Sequence, residues 1–247
     1  MEDDRYIEWK NWSNSSFGVT NPGSNYYFKQ VFKHRANIKK GGKVLEIGFG
    51  NGELLGYFRS NDFEVYGVEI NSILVNRAKN DGYKAFKGWV CNINELSGIK
   101  FDMVVALDVA EHLTENQLRE LFSWVSSNLD KDGVFFLRFP EGSSPFGLSN
   151  QNGDFTHLTT LTESKILSLC ESSSLKLFSY SDDIISSNKL CNFGFIGKAA
   201  LLIMQLYAKV VKRLLRIILF PVSLQQVNLA TNSLVVIKSL KKLTDSN

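Results

Sequence analysis

Apolar residues fall along this chain in short runs broken by polar, glycine-bearing turns, and between those runs their spacing lengthens to that of helices. Residues 43–47 form a short strand that ends in a glycine-rich turn, and apolar side chains return at helical spacing over 54–59. The unit repeats, with a strand over 64–69, a helix over 72–80 and a strand over 83–86. Residues 101–107 are a continuous apolar run, the pattern of a central parallel strand covered on both faces. Helical periodicity over 114–129 is followed by a strand over 134–139. Thr160-Leu-Thr-Glu163 predicts a capping box for a helix to about residue 172, with a strand over 175–180 behind it. Residues 232–240 make a last strand, leaving about fifty residues inserted before it. The prediction is an α/β fold, a doubly wound, mostly parallel seven-stranded sheet with a helical insertion before its last strand.

This pattern divides the chain into four segments. Residues 1–36 are an arm, with Tyr6, Trp9, Trp12 and Phe17 ahead of a helix over about 25–35. Residues 37–183 are the core, 184–230 a basic amphipathic insertion, and 231–247 the last strand and tail. Within the core, residues 140–159 read as one long loop holding two of the four prolines, and a loop of that length in a compact domain usually carries function.

Composition adds one surprise. A chain of 247 residues with 44% apolar and 21% charged side chains can bury its own core, and disorder, collagen-like repeats and a multi-span membrane protein are excluded. Its formal charge of +3 hides a split. Residues 1–183 carry 19 basic and 24 acidic side chains, whereas residues 184–244 carry nine basic and no acidic ones. The cysteines, Cys91, Cys170 and Cys191, are widely spaced and odd in number, so a reducing compartment is expected. No secretory signal opens the chain, and a cytoplasmic location follows.

The chemistry starts at Val44-Leu-Glu46-Ile-Gly48-Phe-Gly50-Asn-Gly52, where three glycines two apart follow the first strand. Glycine there allows positive φ and lets a ligand touch the backbone, at the edge where such sheets bind ligands. A dinucleotide fingerprint would place its third glycine at position 53, which is Glu53, and the Gly-Lys-Ser/Thr of a P-loop is absent. Glu46 would repel a pyrophosphate but suits an ammonium group, and Glu69, ending the second strand, can accept from both hydroxyls of a ribose. A nucleoside with a cationic tail and no phosphate is implied.

In these motifs, together with Cys91-Asn-Ile-Asn-Glu-Leu96 and Phe101-Asp-Met-Val-Val-Ala-Leu-Asp-Val-Ala-Glu-His-Leu113, the sequence resembles the class I S-adenosylmethionine-dependent methyltransferases over about residues 40–180, especially the small-molecule and glycan group. The resemblance implies a Rossmann-like methyltransferase fold and S-adenosyl-L-methionine as cofactor. It implies that Glu46, Gly48, Gly50 and Gly52 contact the methionyl moiety, that Glu69 holds the ribose and that Ile70 lies against the adenine. Asn92 stands where the family often has an Asp on the adenine amino group, and its amide oxygen can accept the same bond. Asp108 is placed to help bind the amino-acid end.

Methyl transfer to a hydroxyl asks the protein to align the acceptor and remove its proton. The histidines are His34, His112 and His157. The last lies in the 140–159 loop, a region that lines the acceptor pocket in the family resembled, so His157 is the expected general base with Asp154 as its orienting partner. His112, beside Glu111, is assigned a structural role. No His/carboxylate cluster is evident, and no metal is expected.

In residues 197–220, Lys198, Lys209, Lys212, Arg213 and Arg216 fall within an arc of roughly 100° on a helical wheel, with an apolar remainder. The charges interrupt the apolar run too often for a spanning helix, and the next charge-free stretch contains Pro221. The pattern suits a helix lying on an anionic membrane surface, and it equally suits a lid or a homodimer helix. Nucleic acid is not expected, because the net −5 body does not continue the basic stripe. Function then narrows to O-methylation of a sugar or glycolipid hydroxyl, as in polysaccharide biosynthesis, by a peripheral enzyme on the inner face of the membrane. A quinone or other lipid-soluble acceptor is the nearest alternative, and a non-catalytic scaffold of the same fold is the alternative of another class.

Overall fold

The structure, a computed structural model, describes residues 7–8, 10, 12, 16–33, 41–184, 188–219 and 229–240. The expectations for Tyr6, Trp9, His34 and Pro221 lie outside these residues, as do residues 220–228 and 241–247. Helix α1 (Pro22–Lys33) precedes β1 (Lys43–Ile47), α2 (Glu53–Arg59), β2 (Glu64–Glu69), α3 (Ser72–Asn80), β3 (Lys84–Lys87) and β4 (Phe101–Leu107). Then come α4 (Glu115–Asn128), β5 (Leu129–Pro140), α5 (Leu148–Asn152), α6 (Glu163–Glu171), β6 (Leu175–Asp182), α7 (Asn188–Asn192), α8 (Gly194–Leu219) and β7 (Asn232–Ser239).

The seven strands form one sheet in the order β3-β2-β1-β4-β5-β7-β6, and β7 alone runs antiparallel to its neighbours. Strand order reverses between β1 and β4, which opens a crevice at their carboxyl ends. The unbroken apolar runs follow from burial on both faces. Along β4 and β5, Val104, Ala106, Phe135 and Leu137 pack on one side with α4 and α6, while Met103, Val105, Val134 and Phe136 pack on the other with α1 and α2. On that second side, Phe32 of α1 meets Phe58 and Phe136 with ring centroids 5.1 Å apart in both cases.

Two local predictions change. The helix expected to open at Thr160 is capped by Thr162, whose hydroxyl accepts from Lys165 N at 3.4 Å; Glu163 is then its first residue and cannot close a capping box with Thr160. A true capping box lies at α4, where Thr114 and Gln117 bond reciprocally. The 140–159 segment is not all loop, since α5 forms inside it.

The insertion is helical, and its apolar surface is not core. Leu201 is fully buried, but Phe195, Ile203, Tyr207, Val210, Leu214 and Ile218 are exposed. At about 100° per residue these exposed side chains form the sector facing away from the body, with the basic stripe along its flank. Lys212 reaches back to Asp182 at 2.6 Å. By length and composition alone, Gly194–Leu215 is long and apolar enough to cross a membrane.

Candidate active site

The glycine turn after β1 is built on left-handed backbone at Gly48 (φ 73°), Gly50 (φ 52°) and Gly52 (φ 73°). A Cβ at Gly50 would come 2.6 Å from the Trp12 ring, and one at Gly52 would come 2.4 Å from Phe17, so the arm lies directly on the turn. Glu53, where a dinucleotide site would have glycine, instead accepts from Asn21 Nδ2 at 3.2 Å and Ser24 Oγ at 2.5 Å, tying α1 to the turn.

Glu69 is buried, and its carboxylate accepts from the N–H groups of Gly50 (3.1 Å), Ile70 (2.8 Å) and Asn71 (3.1 Å). Three of about four acceptor positions are thus engaged by backbone. The residue joins the glycine turn to the end of β2 as well as standing where a ribose is expected. Glu46 is 6% exposed and its Oε2 has no hydrogen-bond partner. Burial, and then the nearby Glu69, hold its carboxyl well above the ordinary range. An orphaned buried oxygen at the turn's entrance fits a cationic ligand group, which would supply the missing partner.

A cavity of about 740 Å³ opens beside this turn, and Trp12, Glu46, Gly48, Gly50, Asp108 and Arg138 are among its lining residues. Of the expected cofactor residues, Gly52, Glu69, Ile70 and Asn92 lie outside that lining. Ile70 is 73% exposed, and Asn92 is exposed in a 3-10 turn after β3. A larger cavity of about 1040 Å³ is lined by Tyr26, Tyr57, Cys191 and Lys198 and by none of the three glycines.

Asp108 is not free to face a ligand with an open carboxylate. Arg138, from the adjacent strand β5, donates Nε to Asp108 Oδ1 at 2.8 Å and Nη2 to Oδ2. Arg138 also stands 3.9 Å from Asp183 and 5.2 Å over the Tyr27 ring, and the Tyr27 hydroxyl donates to Asp183 at 2.7 Å. Burial raises the Asp183 carboxyl above its ordinary value, with Arg138 opposing. Sequence reasoning missed Arg138, Asp183 and Tyr27, although one arginine inside the apolar 134–139 strand was a visible signal. It also missed Glu141, fully buried at the end of β5, which accepts from Ser143 N (2.9 Å), Tyr180 Oη and Ser233 Oγ.

Glu111 and His112 occupy a 3-10 turn, Ala110–His112, just past Asp108. The Glu111 carbonyl accepts from Leu158 N (2.8 Å) and Thr159 N (3.0 Å), so the 140–159 segment is pinned to this turn. The imidazoles of His112 and His157 meet edge to face, centroids 4.7 Å apart. His157 Nδ1 is 2.9 Å from the Gln151 carbonyl, and His112 Nδ1 is 3.2 Å from the Thr156 carbonyl and 3.0 Å from its hydroxyl. A carbonyl only accepts, so each Nδ1 carries a proton, and in the neutral ring Nε2 has the lone pair. Burial lowers the His112 pKa, which also favours the neutral ring.

Asp154 differs from its expected part. Its Oδ2 is 3.9 Å from His157 Nε2, beyond a hydrogen bond, and its Oδ1 accepts from Thr156 N (2.9 Å) and Thr156 Oγ1 (2.6 Å). The orienting contact on His157 comes from Gln151. Glu111 is 1% exposed, its Oε2 has no partner, and burial, then Asp108, push its pKa up to about 8. The expectation of no His/carboxylate cluster is corrected: among the described residues, ligand atoms of Glu111, His112 and His157 lie within 4.8 Å of one another.

A family profile described as a methyltransferase domain matches residues 25–178. Among solved structures, the chain is similar to a SAM dependent methyltransferase from Archaeoglobus fulgidus, at 17% identity and TM-score 0.61 over 95% of this chain and 99% of that one. It is similar to a TehB-like SAM-dependent methyltransferase from Corynebacterium glutamicum, at 16% identity and TM-score 0.56 over 96% and 97% of the two chains. An S-adenosylmethionine-dependent methyltransferase from Clostridium acetobutylicum is similar at 12% identity and TM-score 0.56, covering 96% of each chain. At such identities the likeness is one of fold. No curated protein matches the sequence.

Proposed function

The chain belongs to the methyltransferase-domain family and is an S-adenosylmethionine-dependent methyltransferase, and from that premise we propose that its acceptor is a hydroxyl of a sugar or glycolipid, such as a surface polysaccharide precursor, met at an anionic membrane surface. The observation that carries the acceptor side is the pair His112 and His157, brought together just past Asp108, which lines the cavity.

Bound S-adenosylmethionine supplies a methyl group on a sulfonium, open to direct displacement. Glu46 offers its orphaned oxygen to the ammonium of the methionyl end, with the glycine turn alongside. Glu69 has one acceptor position left for a ribose hydroxyl, Ile70 and Asn92 serve the adenine, and Asp108 acts on the amino-acid end through its pairing with Arg138. His157, with Nδ1 held by Gln151, presents the Nε2 lone pair that removes the acceptor's proton.

Helix α8 supports a lipid-linked acceptor. Its apolar sector points away from the body, and within the described residues the chain does not cover it. Each nearby Lys or Arg adds about 1 kcal/mol of attraction to an anionic surface, enough to hold a cytoplasmic enzyme there peripherally. The test is a supply of methyl-labelled S-adenosylmethionine with anionic vesicles carrying extracted glycolipid. Label in an O-methyl sugar is expected, whereas label confined to a quinol would replace this acceptor with the lipid-soluble alternative. Equal, negligible binding to anionic and neutral vesicles would overturn the membrane part.

A further inference from the structure

We propose that Glu111, His112 and His157 form a binding site for one divalent transition-metal ion, beside Asp108 at the carboxyl edge of β4. Their ligand atoms lie within 4.8 Å of one another. Ligands about 2.1 Å from a shared ion sit roughly 3–4 Å apart, so a side-chain closure of under about 1 Å completes the set.

The surrounding bonds occupy the Nδ1 of each imidazole and leave Nε2 for an ion. Metal-binding histidines hold one ring nitrogen by giving the other N–H to a carbonyl or carboxylate. Here Gln151 O takes that bond from His157 at 2.9 Å, and Thr156 O takes it from His112 at 3.2 Å. Both Nε2 atoms are thereby left as donors of a lone pair.

Glu111 supplies a second, independent observation. At 1% exposure its carboxyl is inside the protein, yet Oε2 lacks any partner. A buried carboxylate oxygen without a hydrogen bond is costly, and a cation removes that cost. The nearest guanidinium, Arg138, is committed to Asp108 and Asp183 and does not reach it with a hydrogen bond or ion pair.

Two imidazole nitrogens and one carboxylate suit Zn²⁺, Mn²⁺, Co²⁺ or Fe²⁺ better than Mg²⁺ or Ca²⁺, which prefer oxygen. Three protein ligands leave coordination positions open, as in sites that bind substrate. Resting on the proposed function, those positions would take acceptor oxygens; in the metal-bound chain His157 Nε2 would serve as ligand and solvent would take the acceptor's proton, whereas in the metal-free chain that Nε2 is the base. Metal binding itself does not depend on that reading.

The experiment uses the full-length, tag-free chain stripped of metal and titrated with Zn²⁺ and Mn²⁺ by calorimetry and with Co²⁺ by visible absorption. One equivalent is expected, weakened by more than about tenfold in each of Glu111→Gln, His112→Gln and His157→Gln. S-adenosylmethionine binding, measured on the same samples, reports that each variant is folded. No uptake of any of the three ions by protein that still binds S-adenosylmethionine would overturn the site, as would uptake unchanged in all three variants. Metal bound in the wild type and lost in the variants, with no methylation of any saccharide hydroxyl, would uphold the site and count against the acceptor alone.

Discussion

Arg138 grips Asp108 with two parallel hydrogen bonds between the ends of β5 and β4, and the same guanidinium faces Asp183 and the Tyr27 ring. Asp108 itself sits in left-handed backbone at φ 56°, which Asn tolerates better than most residues. Its side chain is 47% exposed against 23% for Arg138, so water compensates one partner far more than the other.

Arg138→Gln should therefore cost on the order of 3 kcal/mol, because it leaves two carboxylates around Tyr27 without their cation. Asp108→Asn should cost about 1 kcal/mol or less. Urea unfolding measures both, and equal losses would show that the pair is not anchored as the geometry indicates.

Glu46 predicts a pH dependence of cofactor affinity. Its carboxyl titrates well above the ordinary value in the folded chain, so it holds a proton there that the unfolded chain has released. Stability from this group is therefore greatest below its ordinary pKa and declines as pH rises toward the raised one. An ammonium ligand favours the ionised form, so affinity for S-adenosylmethionine should rise with pH over the same window and binding should release a proton. Calorimetry in buffers of different ionisation enthalpy reads that proton directly. Glu46→Gln should abolish the release and weaken binding by about tenfold or more.

His157 and Asp154 should separate in kinetics. His157→Ala is expected to lower turnover by about 100-fold or more, with S-adenosylmethionine affinity nearly intact. Asp154→Asn should change turnover by less than about fivefold, because its carboxylate bonds Thr156 and stands 3.9 Å from the imidazole. A collapse of activity in Asp154→Asn would restore it as the orienting partner.

On α8, replacing Ile203, Val210 and Leu214 with Ser removes exposed apolar surface. Co-sedimentation with anionic vesicles should fall more than about tenfold, from the loss of roughly 25 cal/mol per Å² of apolar contact. The melting temperature should barely move, since exposed substitutions usually change stability by less than about 0.5 kcal/mol. A large drop in melting temperature would mean that these side chains pack on protein.

Much of the fold is legible in the sequence. Residues 101–107 announce a strand buried on both faces because every second side chain meets a different helical layer, and the glycines at 48, 50 and 52 announce a turn that only they can make. Helix starts were less legible: Thr160 and Thr162 have the same chemistry, and backbone geometry at one of them selects the cap. The arm's sequence names no partner for Trp12 and Phe17, and their placement on the glycine turn depends on how the arm crosses α2.

The sequence by itself determined the alternation of strands and helices, the cofactor class and the charge split between body and insertion, since those rest on local spacing and composition. Only the tertiary structure decided that Arg138 takes both oxygens of Asp108, that His157 meets His112 and Glu111, and that α8 turns its apolar sector outward. Those relations join residues that are distant along the chain. They are set by two backbone bonds to Glu111, by strand register and by the face on which a helix comes to rest, none of which has a local spacing to betray it.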